Sequence, residues 1–129
     1  MPGDTPIIHT NSSGSNTNDT SYAENALGLP VTITGIEIVP KTAVATHASN
    51  YITTTVTVGG VTVATHTTNS SGGSAMVAGT PISLTFAATG VGTALELANG
   101  AVATVAVVSS GTGPAYNFAT LFKLRFNRV

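Results

Sequence analysis

Tyr51-Ile52-Thr53-Thr54-Thr55-Val56-Thr57-Val58, then Gly59-Gly60, then Val61-Thr62-Val63-Ala64-Thr65-His66-Thr67-Thr68, is the stretch whose reading decides the fold. Both arms alternate β-branched residues with a period of two, the signature of strands with one buried face. Between them lies a Gly-Gly pair, which accepts positive φ at both positions and suits a tight primed turn. Pairing Val58 with Val61 would oppose Val56 to Val63, Thr54 to Thr65 and Ile52 to Thr67, with all four valines on one face. The other face would carry Tyr51, Thr53, Thr55 and Thr57 opposite Thr62, Ala64, His66 and Thr68, a threonine-rich outer surface.

The same period extends outward from this hairpin. Val31 and Ile33 share one phase and Ile36 and Ile38 the other, so a bulge or strand switch is expected at Gly35. Pro81 to Phe86 alternates with Ile82, Leu84 and Phe86 inward. Leu95-Glu96-Leu97 is a short strand or the edge of a turn, closed by the turn pair Asn99-Gly100. Ala101 to Val108 is apolar in both phases and predicts a central strand covered on both sides, the second cover being another sheet edge or another subunit. After the break at Gly111-Thr112-Gly113-Pro114, Phe122, Leu124 and Phe126 face one way, and Lys123 and Arg125 the other. Short strands at these intervals, with no credible helix, predict an all-β, antiparallel two-sheet sandwich over residues 30–129. A jelly roll is the first choice and an immunoglobulin-like sandwich the second.

Residues 1–29 read differently. Around Thr10 to Asp19 the chain is rich in Asn, Ser, Thr and Gly, which bury little apolar area against the entropy of ordering. The expectation is an extended N-terminal arm, able to reach on the order of 90 Å, with Ile7 and Ile8 apolar enough to dock. Asp4, Asp19 and Glu24 lie in this arm, whereas Lys123, Arg125 and Arg128 crowd the last seven residues. An acidic arm could therefore meet a basic edge of the same or a neighbouring chain, each exposed pair contributing about 0–1 kcal/mol. These eight residues are the candidate contacts to a shell or between subunits.

Composition narrows the function. Charged residues make up 7% of the 129 residues, against about 25% in ordinary soluble domains, which implies a surface meant to be covered by protein. A net charge of -1, with no basic stripe carrying aromatics, gives nucleic acid and anionic membranes nothing to bind. The longest apolar run is far below the roughly 20 residues of a membrane helix. The absence of cysteine and of a basic-then-apolar leader predicts a protein made and used in a reducing cytoplasm.

Candidate chemistry is sparse. His9, His47 and His66 lack the paired spacing of a metal site, and three of the five acids fall in the arm, where a general acid or base would not be held in place. No Gly-x-Ser-x-Gly elbow occurs, and neither Gly90-Val91-Gly92 nor Gly111-Thr112-Gly113 precedes a helix that could present amides to phosphate. The expectation is a non-enzyme with no catalytic residue, metal or cofactor.

Val39-Pro40 with Ala43-Val44-Ala45, Ala48-Ser49-Asn50-Tyr51, the Gly59-Gly60 hairpin, Ala78-Gly79-Thr80-Pro81-Ile82-Ser83-Leu84-Thr85, Leu95-Glu96-Leu97-Ala98-Asn99-Gly100 and Gly111-Thr112-Gly113 together resemble the capsid decoration, or cement, proteins of tailed bacteriophages. The resemblance spans Val31 to Phe126 and leaves the first 29 residues uncovered. Where the family usually continues Gly-Asp, Gly100 is followed by Ala101. The resemblance implies a β-sandwich on the outer surface of a virion, partnered by the major capsid protein and by itself, as a homotrimer in preference to a homodimer. It would bridge and stabilise neighbouring capsid subunits. The alternative is a glycan-binding head or tail-fibre module using Tyr51 and Tyr116 as stacking platforms, which a 5% aromatic content without Trp disfavours.

Overall fold

The computed structural model describes residues 6–86 and 95–127, and among these there is no helix. Nine strands form: β1 (Ile7–Ser15), β2 (Asp19–Glu24), β3 (Val31–Pro40), β4 (Tyr51–Val58), β5 (Val61–Thr67), β6 (Ile82–Ser83), β7 (Glu96–Leu97), β8 (Val102–Ser110) and β9 (Ala115–Phe126). Sheet A has the order β1-β9-β3-β6, with β7 also on β3, and sheet B has the order β2-β8-β4-β5. All strand pairs are antiparallel. Leaving β7 aside, eight strands divide into two four-stranded sheets, crossing between them at every step but the β4–β5 hairpin, with first beside last, which is the jelly-roll order and not an immunoglobulin one.

The core lies between the sheets. Ile33, Ile36, Ile38, Phe118, Phe122 and Leu124 enter from sheet A, and Ile52, Val56, Val63, Val105 and Val107 from sheet B. The phase change expected at Gly35 is present: Ile33 pairs Leu124 and Gly35 pairs Lys123, so Thr34 is the extra residue and both halves of β3 keep their isoleucines inward. Gly59 and Gly60 take φ of 59° and 81°, the left-handed pair that a primed turn requires.

Beyond that turn, the expected hairpin register fails after one step. Val58 opposes Val61 and Thr57 opposes Thr62, but Val56 opposes Ala64, with Thr55 on Thr65, Thr54 on His66 and Thr53 on Thr67. Val63 is bulged, and both Val63 and Ala64 are buried. The phase then flips, turning His66 and Thr68 inward, and Val61, ahead of the bulge, is exposed beside the turn. Period-two pairing has no means of seeing this extra residue, because the Thr and Val side chains fit either face.

The extended arm is corrected by the structure. Ile7–Ser15 is an edge strand of sheet A in unbroken register with β9, and Asp19–Glu24 is an edge strand of sheet B beside β8. Asn16, at φ 53°, turns the corner between them, and Ser12 Oγ lies 3.3 Å from Ser21 Oγ across the gap between sheets. These strands look polar because their inward residues, Thr10, Ser12, Gly14, Ser21 and Ala23, are small. They are held by ladder hydrogen bonds to β9 and β8, and of their own apolar content only Ile8 and Ala23 reach the core. A sandwich starting at residue 30 is thus too short: its described part starts with β1.

Two further expectations change. The strand expected over Pro81 to Phe86 is only Ile82–Ser83 as regular ladder, although Ile82, Leu84 and Phe86 do pack against the core. β8 is central, between β2 and β4, but only Ala103, Val105 and Val107 are buried. No strand among the described residues covers its other face, which leaves another subunit as the expected second cover.

Candidate interaction surfaces

The eight candidate contact residues do not converge. Asp4 and Arg128 lie outside the described residues. Ile7, 51% exposed, faces outward on β1 opposite Lys123, whereas Ile8 turns inward opposite Phe122 and packs on the core. Asp19 begins β2 and accepts a hydrogen bond from the Ser13 N–H at 3.1 Å, and Glu24 ends β2 opposite Val102. Lys123 and Arg125 do project outward from sheet A as expected, but from a central strand rather than an edge. Lys123 Nζ pairs with Glu37 Oε1 at 3.4 Å, the one ion pair among the described residues. The attraction expected between arm acids and terminal bases therefore does not form within the subunit among those residues: Asp19 and Glu24 belong to sheet B, Lys123 and Arg125 to sheet A.

The outer face of sheet A is accordingly polar and charged, with Glu37, Lys123, Arg125 and Glu96 around a shallow cleft lined by Thr32, Glu96, Arg125, Phe126 and Asn127. The outer face of sheet B is its opposite. Registers place Glu24 beside Val102; Tyr22, Thr104, Thr57 and Thr62 in one row; Thr20, Ala106, Thr55 and Thr65 in the next; then Val108, Thr53 and Thr67. Glu24, at one corner, is the only charged side chain in those rows. Tyr22 is 62% exposed, Val108 50% and Val102 41%. A broad face of threonine methyls, valines and the tyrosines Tyr22 and Tyr51 has the charge depletion of an interface core rather than of an ordinary surface.

Part of this face is legible in the sequence: the apolar run of β8 signals a second cover, and the threonines of β4 an outer surface. Tyr22 is not, because nothing local distinguishes it from its polar neighbours until β2 is docked on β8.

Interior polar groups are structural in character. His66 is buried, with Nε2 3.0 Å from Ser74 Oγ and Nδ1 unpartnered; burial holds its pKa below the usual histidine value. Tyr116, 2% exposed, donates its hydroxyl to the Thr17 carbonyl at 2.8 Å. Burial raises its pKa, partly opposed by that bond. A buried Tyr116 offers no platform to a sugar, which removes half of the stacking pair expected from sequence. Among the described residues no three His, Asp or Glu side chains gather as metal ligands do. Comparison with family models, curated proteins and solved structures finds no match to this chain.

Proposed function

We propose that this protein is a non-enzymatic structural component of a virion, a decoration or cement protein that binds the outer capsid shell and ties neighbouring capsid subunits together. The observation that carries this reading is the outer face of sheet B, four strands wide and bearing charge only at Glu24. Adhesion needs area and complementary shape, not a titrating group, and stable interfaces of this kind bury about 2,000–5,000 Å² with little charge at the centre. The sequence resemblance to phage cement proteins supplies the class of partner: the major capsid protein, with further copies of this chain.

Assembled heads lacking the protein provide the test. The wild-type chain is expected to co-sediment with heads, and Val108→Lys, which sets an unpaired charge on the exposed face beside Thr53 without touching the core, is expected to weaken attachment at least about tenfold. Equal binding by the variant, or no binding by the wild type, defeats the reading.

A second reading rests on Tyr22, whose exposed ring lies among threonine hydroxyls and could stack on a sugar. A glycan-array signal lost in Tyr22→Ala, without any binding to heads, would put this reading first.

A further inference from the structure

Sheet edges expose rows of unpaired N–H and C=O groups, and proteins blunt them with short strands, bulges, charges or proline. The far side of β3 carries only the two-residue strands β6 and β7. β5 contains the bulge at Val63, and its Ala64 is bridged by Phe86. β2 is short and has Asp19 and Glu24 at its two ends. β1 has none of these devices among its own residues. It runs for nine residues, Ile7–Ser15, without a charged residue, a proline or a break in its register to β9.

Two hydrogen bonds fix which backbone groups of β1 face the open side. Leu124 N–H donates to the Pro6 carbonyl at 2.9 Å, so the even-numbered residues bond to β9. Ser13 N–H donates instead to the Asp19 carboxylate at 3.1 Å, so the odd-numbered residues point away. Asp19 occupies the edge at Ser13. The N–H and C=O groups of Ile7, His9 and Asn11 are left facing outward, a symmetric set centred on His9.

We infer that this edge segment pairs antiparallel with the same segment of a second copy about a two-fold axis at His9, joining two copies of sheet A into one continuous sheet. Ile7 then exchanges hydrogen bonds with Asn11 of the other copy, His9 with its own equivalent, and Asn11 with Ile7. A second copy is the fitting occupant because the open row is symmetric about its centre and closes on itself, as an isologous contact requires, and because Ile7, His9 and Asn11 bring no Asp, Glu, Lys or Arg side chain to the axis. This interface uses neither the outer face of sheet B nor a capsid, and so stands apart from the proposed attachment to a shell.

His9→Pro tests it in the full chain. Proline at an edge position whose N–H points to solvent leaves the β9 ladder whole, so the variant is expected to melt near the wild type while its native mass falls by about half. The chain lacks cysteine, so His9→Cys is expected to give a covalent dimer on oxidation, the equivalent Cα atoms lying about 5.5 Å apart, whereas Ile7→Cys, opposite Asn11, is not. A wild-type mass of one or three subunits, an unchanged mass in folded His9→Pro, or no cross-link from His9→Cys overturns the inference. The cross-link decides the matter alone if His9→Pro does not fold.

Discussion

Asn25 Nδ2 donates to the carbonyl of Leu97 at 2.9 Å, across 72 residues of chain, in a fully buried position. The same amide donates to the Leu29 carbonyl at 2.9 Å, and its oxygen accepts from Leu27 N–H at 3.1 Å. One side chain thus ties the end of β2 in sheet B to β7 in sheet A and closes the connection leading into β3. Asn25→Ala leaves two carbonyls and an amide short of partners, and a loss of about 2–4 kcal/mol is expected in urea unfolding. Asn25→Asp should be at least as costly, since a carboxylate would face two carbonyl oxygens. A loss below about 1 kcal/mol for either variant would show that the connection is held by something else.

Deleting residues through Glu24 removes β1 and β2 and uncovers the flanks of Phe118, Phe122, Val105 and Val107, all buried in the intact chain. At about 1.5–3 kcal/mol for each side chain fully exposed, partial exposure of four amounts to a loss on the order of 5 kcal/mol. That is comparable with the whole stability of a small domain. The truncated chain is expected to lose cooperative thermal unfolding. A sharp transition near the wild-type temperature would mean that these strands are appendages after all.

His66 sets an acid limit. Its folded pKa lies below the unfolded value of 6.5 because burial disfavours the imidazolium. The unfolded chain then takes up the proton first. The stability associated with neutral His66 is complete above about pH 6.5 and is lost as pH falls from there through the folded value. Urea unfolding at about pH 7.5 and about pH 5 should show the wild type losing more stability than His66→Gln. Equal losses in the two proteins would remove His66 as the cause.

The hairpin around Gly59-Gly60, the bulge beside Gly35, the inward sets on β3 and β9 and the two-layer all-β architecture follow from the sequence alone. Each depends on a signal carried by neighbours along the chain: side-chain alternation, or a backbone conformation that glycine adopts without cost. Only the tertiary structure decided the rest. Thr10, Ser12, Gly14 and Ser21 have too little apolar surface to announce a strand, and become β1 and β2 because β9 and β8 supply their hydrogen bonds and cover. The bulge at Val63, the inward turn of His66, and the exposure of Tyr22 on the same face as Val102 and Val108 are likewise set by which strands meet across the sandwich. That is a property of contacts far apart in sequence, to which local periodicity is blind.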